Sequence, residues 1–337
     1  MKRSFTGLAF ALLLAAMLLD IPALSAGAQG ATRLRIATLA PTSSRFGDVY
    51  RTMDRGLREQ TSNRVSVQVF GGGAAGDERL VVRKMRVGQL DGAALTTTGL
   101  GLIAPQVLAL QAPGLIETYT QLDAVRAALE GEFEQIFDRA GYKLVGWGDA
   151  GELRMFSQKR IARPSDLRSA RPWVWRDSPL MIESVRQAGA NGVPLGVPEV
   201  YPGLQTGMID TVTASALTAI GFQWHNRLCT MTQQAGGVII GALVIRKEVF
   251  EALPDDAKAY ILETARDTQG DLRNLTRRMD RDAYRELSRR LEVVDTDPHR
   301  AEWEAVGLRA REALAGRVYP RELMQRVEAI VRRHPRR

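Results

Sequence analysis

The stretch DDAKAYILETARDTQGDLRNLTRRMDRDAYRELSRRL, residues 255–291, decides the fold. It contains no proline, and its apolar residues recur at spacings of three and four, which is the pattern of one helix face. These residues are Leu272, Leu275, Met279, Ala283, Leu287 and Leu291. At about 1.5 Å per residue, the helix would be about 55 Å long. Because a single lobe does not need a helix of that length, we predict that it lies across two lobes.

The chain before this stretch alternates between strand patterns and helix patterns. Residues 34–39 (LRIATL) and 65–70 (VSVQVF) have strand patterns, and residues 46–60 carry a helical stripe between them. This order predicts an α/β fold with a mostly parallel sheet and helices on its faces. A second series of strands and helices begins after GDAG (148–151) and leads to GGVIIGALVIR (236–246). The glycines at these two crossings are predicted hinges between the lobes.

The first residues have the three-part pattern of a secretory signal peptide. Lys2 and Arg3 are followed by an uncharged apolar run at 8–19, and Ala26-Gly27-Ala28 is a small-x-small cleavage site. We therefore predict removal near Ala28 (1–28 being the signal peptide) and a periplasmic location, with a retained N-terminal anchor as the alternative.

Composition excludes several classes of protein. The formal net charge of +8 comes mainly from arginines that are spread along the chain, and no basic run alternates with aromatic residues. This distribution predicts no nucleic-acid partner. The single cysteine, Cys229, cannot form an intrachain disulfide.

The sequence offers no recognisable catalytic site. Its three histidines, His225, His299 and His334, do not have metal-ligand spacing, and no G-x-S-x-G motif occurs. The segment GGGAAGDE (71–78) lacks the ending of a P-loop and the spacing of a dinucleotide-binding turn. We predict no catalytic residue, no metal and no cofactor, and hence a protein that is not an enzyme.

Five segments, read in order, carry a family resemblance. The chain resembles the extracytoplasmic solute-binding subunits of TRAP transporters, the DctP family, over nearly all of its predicted mature length. The resemblance implies a two-lobed periplasmic solute-binding protein, class II-like, that delivers a small-molecule ligand to the small and large membrane subunits of an ion-gradient-driven permease. The segments are RIATLAPTSS (35–44), GGGAAGDERLVVRKMRVGQLDGA (71–93), LRMFSQKRIARPSDL (153–167), PLGVPEVYPGLQTGMIDTV (194–212) and VIRKEVFEALPDDAKAYI (244–261).

The two lobes can be assigned from these patterns. Residues 29–149 and about 241–275 are predicted to form lobe I, and residues 150–240 and about 276–337 to form lobe II. The long helix would then pass from one lobe to the other.

The resemblance also implies a ligand site in which one arginine clamps a carboxylate bidentately. In RPSDLRSARPWVW (163–175) the clamp position falls on Trp173, and an indole cannot pair with a carboxylate. A shift of two or three residues in the alignment would instead bring Arg171 or Arg176 to this position. Arg154 is the cation that is retained, and we predict a ligand contact for it, with an interlobe salt bridge as the alternative.

The remaining predicted ligand contacts carry no charge. Trp175 shares a strand face with Trp173, and Thr42 follows the first strand. The loop after the third strand offers Thr97 and Thr98, and Ala214 replaces an asparagine that the family often has.

This set predicts a ligand less acidic and more hydrophobic than a C4-dicarboxylate or sialic acid. A buried carboxylate without a partner costs several kcal/mol, whereas indole faces favour apolar, aromatic or cationic groups. Two alternatives stay open: a stand-alone ligand-sensing or lipid-shuttling protein of the same fold, and an enzyme on the same scaffold.

Overall fold

The computed structural model describes residues 31–335, which form a mixed α/β structure. The strands in this range are β1 (Thr32–Thr38), β2 (Val65–Phe70), β3 (Gly92–Thr96), β4 (Tyr142–Glu152), β5 (Arg154–Ser157), β6 (Trp173–Trp175), β7 (Val193–Leu195), β8 (Thr211–Ala214), β9 (Thr230–Thr232), β10 (Val238–Arg246) and β11 (Glu292–Val294). The α-helices are α1 (Arg45–Gln60), α2 (Glu78–Arg86), α3 (Thr97–Ile103), α4 (Tyr119–Arg139), α5 (Pro179–Gln187), α6 (Val197–Gln205), α7 (Ala216–Gly221), α8 (Lys247–Glu251), α9 (Asp255–Leu287), α10 (Arg300–Leu314) and α11 (Arg321–Arg332).

The first sheet has five strands in the order β2-β1-β3-β10-β4. Strand β1 pairs in parallel with β2 and β3, and β10 runs antiparallel to both β3 and β4. Helix α4 packs on one face, where Leu122, Val125 and Phe133 are buried, and helix α1 packs on the other through Leu57. This is the predicted sheet with helices on both faces, and it brings the carboxyl ends of β1, β3 and β4 to the same edge.

The second sheet is smaller and has the order β11-β9-β5-β8, with β6 and β7 paired beside it. Its strands have three or four residues each. A separate core of apolar side chains lies around this sheet and includes Phe156, Val212 and Met231, all almost fully buried. The two sheets therefore have their own cores, as a two-lobed protein requires.

Two of the chain's crossings between the sheets, β4 to β5 and β9 to β10, lie side by side and are hydrogen-bonded to each other. The backbone N–H of Leu153 donates to the carbonyl of Gly237 at 2.9 Å, and that of Gly236 donates to the carbonyl of Leu153 at 2.8 Å. Gly151 has φ of 105°, and a Cβ there would lie 2.4 Å from Ser215 and 2.7 Å from Asp280. Glycine is therefore required at the first crossing. That these glycines act as hinges stays a prediction.

The predicted long helix is confirmed as α9, which has 33 residues. Near its start, Ala257 and Ile261 are buried in the core between α1 and the first sheet. Near its end, Ala283 and Leu287 are buried in the core of the second sheet. The helix ends before the predicted residue 291, because the chain turns at Ser288 and pairs as β11 with β9.

The last two helices pack on different parts of the molecule. Helix α10 packs against α5, whereas α11 returns to the first core through Leu323, Met324 and Val327. The limits of the two lobes stay a prediction, and α11 argues for assigning the C-terminal residues to lobe I rather than lobe II.

Two predictions concern the ends of the chain and its relation to the membrane. The predicted signal peptide lies outside the described residues. Within residues 31–335, none of the helices has both the length and the apolar character needed to cross a bilayer.

Candidate functional site

A cavity of about 770 Å³ lies where the carboxyl ends of β1, β3 and β4 face β6 and the long helix. Its volume is in the range of small-molecule sites, about 300–1,000 Å³. Its position also agrees with the rule that open α/β sheets bind ligands outside the carboxyl ends of their strands.

Aromatic side chains form the wall on the second-sheet side. The ring centroids of Trp173 and Trp175 are 6.1 Å apart, and Trp224 meets Trp173 edge-on at 5.4 Å. Phe222 stacks on Trp224, also at 5.4 Å. All four line the cavity, and the three tryptophans belong to the second core as well. Trp173 therefore packs in the second core and also lines the cavity.

The indole N–H groups of this wall already have partners. Trp173 Nε1 donates to the carbonyl of Leu195 at 3.1 Å, and Trp175 Nε1 donates to Asp77 Oδ2 at 2.8 Å. The wall therefore presents ring faces and edges to a ligand rather than polar donors, which suits apolar or aromatic groups.

Neither alternative clamp arginine lines the cavity. Arg171 is more than half exposed, and its Nη2 lies 3.6 Å from Asp210. Arg176 pairs at 2.8 Å with Glu199, and both side chains are about half exposed. No arginine therefore takes the place of Trp173 within the described part of the chain.

Arg154 also lies outside the cavity lining. Its Nη2 donates to Glu152 at 2.6 Å, and its guanidinium stacks 4.4 Å above the ring of Tyr284 on α9. Its Nη1 is buried and has no hydrogen-bond partner within residues 31–335. The ligand contact and the salt bridge both stay predictions for Arg154.

The predicted small residues divide between the cavity and the surface. Thr97, Thr98 and Ala214 line the cavity, whereas Thr42 is exposed and does not. The Thr97 hydroxyl donates to Gln111 Oε1 at 2.5 Å, and within residues 31–335 the Thr98 hydroxyl has no hydrogen-bond partner. Five of the seven predicted residues are thus brought together, and Thr98 offers the free hydroxyl.

Glu78 is a buried acid that the sequence reading did not assign to the site. Its carboxylate accepts from the Thr96 N–H at 2.7 Å, the Thr96 hydroxyl at 2.9 Å and the Gly99 N–H at 2.7 Å. Burial raises the pKa of Glu78 to about 7, and these hydrogen bonds oppose the rise. Glu78 fixes the loop that carries Thr97 and Thr98.

A second buried acid, Asp149, is held between two arginines. It lies 2.6 Å from Arg126 on α4 and 2.7 Å from Arg277 on α9. Since both of its partners are arginines, it adds no free charge to the cavity.

The lining contains one basic residue among the described residues, Arg45. It is exposed at the start of α1. The interior of the cavity therefore lacks a cation that could clamp a carboxylate. Residues 31–335 also contain no group of three or more His, Cys, Asp or Glu that could hold a metal ion.

The long helix supplies a wall that the sequence reading also missed. Leu272, Leu275 and Met279 line the cavity and are half-buried. The apolar stripe predicted a helix across two lobes, and its spacing fits a cavity wall as well as a packed face.

The two lobes touch at the edge of the cavity. Asp77, just before α2, accepts a hydrogen bond from the indole N–H of Trp175 on β6. Beside it, Arg79 pairs with Asp177 at 2.7 Å. We call these contacts the cross-lobe contact. Burial raises the pKa of the Asp77 carboxyl above the usual value for aspartate.

Two sheets with separate cores, a helix shared between them and a cavity between them define a two-lobed solute-binding protein. The sequence matches the family model DctP, bacterial extracellular solute-binding protein, family 7, over residues 36–312. The chain belongs to this family. Family 7 comprises the substrate-binding receptors of TRAP transporters, so the prediction that the protein is not an enzyme is confirmed.

Relatives and solved structures agree with this assignment. The chain is 29% identical over 158 residues to a solute-binding protein of Roseobacter denitrificans, an alignment that covers 46% of this chain and 47% of the relative. It thus spans about half the length of that curated relative. Its fold is similar to the sugar acid binding protein DctPAm from Advenella mimigardefordensis in complex with galactonate (TM-score 0.82, 17% identity, 90% and 98% of the two chains covered). It is also similar to the DctP7 receptor of Bordetella pertussis binding pyroglutamic acid (TM-score 0.81, 18% identity, 90% and 100% covered).

Proposed function

We propose that the protein captures a small ligand in the cavity between its lobes and delivers it to a TRAP-type permease with a small and a large membrane subunit. The ligand is less acidic and more hydrophobic than a C4-dicarboxylate or a sugar acid. The observation that carries this proposal is the aromatic wall at Trp173, in a cavity whose one basic lining residue among those described, Arg45, is exposed.

The cost of burying a charge opposes an acidic ligand in this cavity. A carboxylate moved into the cavity would lose its hydration, and no guanidinium in the interior would compensate it. The buried acids supply no positive charge either, because Asp149 is already paired with two arginines and Glu78 is a carboxyl group whose pKa burial raises to about 7. An apolar or aromatic group loses no favourable hydration there, and it gains contact with the rings of Trp173 and Trp175.

The ligands of two structurally similar proteins differ from the ligand proposed here. DctPAm is in complex with galactonate and DctP7 binds pyroglutamic acid, and both ligands are acids. A shared fold at 17–18% identity does not carry the ligand to this chain.

A thermal-shift panel tests the ligand class. Succinate, galactonate and pyroglutamate are compared with apolar and aromatic compounds such as indole and octanol. We expect the apolar and aromatic set to raise Tm and the acids to leave it unchanged. Strong stabilisation by succinate or galactonate, with none from the apolar set, would overturn the proposal.

Two tryptophan variants locate the binding in the cavity. Trp173→Ala removes an indole from the lining, whereas Trp303→Ala removes a half-buried indole of α10 that does not line the cavity. We expect the first variant to weaken binding of the best apolar ligand at least tenfold and the second to leave it unchanged. Equal effects of the two variants would contradict the assigned site.

Uptake measurements test the delivery step. Deleting the gene should abolish uptake of the radiolabelled ligand, and deleting either permease subunit should have the same effect. Loss of binding without any loss of uptake would favour the alternative of a stand-alone ligand-sensing or lipid-shuttling protein. The mass of the periplasmic protein tests export, with a mature chain beginning after Ala28 as the expected result.

A further inference from the structure

The cavity follows the long helix over much of its length. One face of α9 contributes lining residues from Ile261 to Met279. Eighteen residue steps at about 1.5 Å correspond to about 27 Å of helix. The residues recur at spacings of three and four, so they form one continuous face. They are Ile261, Thr264, Ala265, Thr268, Gln269, Leu272, Leu275, Thr276 and Met279.

The opposite wall is apolar at both ends of this face. At the start of the stripe, Met53 of α1 and Val145 and Leu243 of the first sheet line the cavity. At its far end, the wall consists of Trp224 and Phe222. The cavity therefore extends from the layer between α1 and the first sheet to the aromatic wall of the second sheet.

The side chains along this path are incompletely covered. Met53, Val145, Leu272, Leu275 and Met279 are all half-buried, although each lies between packed elements of the fold. Apolar groups in such positions gain from contact with a further apolar surface. A compact acid or a single aromatic ring would cover only one end of the path.

We infer that the ligand is a molecule with a long apolar chain that lies along α9. This inference rests on the proposed function and names the class of ligand. An acyl chain spans about 15 Å, half of the roughly 30 Å hydrocarbon core of a bilayer, so a wall of about 27 Å accommodates it at full length. The feature that the cavity recognises is the long apolar chain of the ligand, and both acyl and isoprenoid compounds carry such a chain.

A chain-length series tests the inference with the full-length mature protein. Hexanol, octanol, decanol and dodecanol are titrated, together with farnesol as the isoprenoid probe. We expect affinity to increase about fourfold for each added CH₂, because each buried CH₂ contributes about 0.8 kcal/mol. An affinity that does not change with chain length would overturn the inference.

A substitution in the cavity wall, compared with a control on the same helix, tests the path of the ligand's apolar chain. Thr268 lies in the middle of the lining face and is exposed, so Thr268→Trp places an indole across the path of the chain without entering a packed core. We expect dodecanol binding to fall at least tenfold and hexanol binding to be unchanged. Arg266→Trp, on the exposed face of the same helix outside the lining, is the control and should change neither. Equal losses for hexanol and dodecanol in Thr268→Trp would contradict the path.

The outcomes separate this inference from the proposed function. Strong binding of indole with no dependence on chain length would keep the hydrophobic receptor and overturn the long chain. Binding of succinate or galactonate in place of every apolar probe would overturn the proposed function itself.

Discussion

The Trp173 side chain is 3% exposed and belongs to the second core, and it also lines the cavity. From the sequence, we predicted that Trp173 lies in the ligand site and that the ligand is therefore more hydrophobic than an organic acid. The sequence also left open Arg154, whose direction depends on Glu152 two residues before it and on Tyr284 far along the chain. A contact with a residue far along the chain is not visible in a local pattern, so the sequence alone could not position Arg154 relative to the cavity.

The core position of Trp173 leads to a stability prediction. Trp173→Ala should lower the free energy of unfolding by about 3–5 kcal/mol, because a large buried side chain is replaced by a cavity. Trp303→Ala, at a half-buried position, should lower the free energy of unfolding clearly less. Urea unfolding of the three proteins measures both values. A loss below about 1 kcal/mol for Trp173→Ala would show that the indole is not part of the core.

Glu78 leads to a pH prediction. Its pKa is about 7 in the folded protein against the ordinary glutamate value of 4.5, so between these pH values the folded state holds a proton that the unfolded state releases. The contribution of Glu78 to stability is therefore full below about pH 4.5 and is lost as the pH rises to about 7. Relative to Glu78→Gln, the wild-type protein should lose stability over this window. Urea unfolding at several pH values compares the slopes, and parallel curves for the two proteins would contradict the raised pKa.

At the scale of elements, α9 was the most predictable part of the fold and its end the least. A proline-free stretch with a regular apolar stripe is sufficient to predict a long helix. The helix stops at Leu287 because β11 pairs with β9, which lies 62 residues away at the Glu292–Thr230 pair. The same stripe serves as core at Ala283 and as cavity wall at Leu275, and spacing alone cannot distinguish these roles.

Two glycines in different elements should respond oppositely to alanine. Gly151 has a positive φ, and a Cβ there would meet Ser215 and Asp280, so Gly151→Ala should lower the free energy of unfolding by more than about 1 kcal/mol. Gly131 lies within α4 with open space around it, so Gly131→Ala should stabilise the protein by about 0.5–1 kcal/mol. Chemical denaturation measures both effects. A neutral Gly151→Ala would contradict the strained crossing.

At the scale of the whole molecule, the sequence predicted two lobes but not which helices complete each core. Helix α11 is amphipathic, and its pattern shows that one face is buried without showing where. The structure places that face on α4 in the first core. The contact between the lobes was not predicted either, because Asp77 and Trp175 are 98 residues apart.

The cross-lobe contact should control how far the lobes separate. Asp77→Ala removes the acceptor for the Trp175 indole N–H, and a hydrogen bond to a charged group contributes about 1.5–3 kcal/mol. We expect a shift of the ligand-free protein toward separated lobes, seen as a larger radius of gyration in small-angle X-ray scattering. Asp48→Ala, which removes a partner of Arg51 on the exposed part of α1, serves as the control. Identical scattering from Asp77→Ala and the control would contradict this role.

The central claim is that this cavity holds a hydrophobic ligand rather than an organic acid. The most direct measurement is mass spectrometry of what co-purifies with the protein, isolated from the periplasm of a producing bacterium and extracted under denaturing conditions. The account predicts an apolar compound in near-stoichiometric amount, and it predicts that Trp173→Ala retains less of this compound than Trp303→Ala. Recovery of a C4-dicarboxylate or a sugar acid in stoichiometric amount would contradict it.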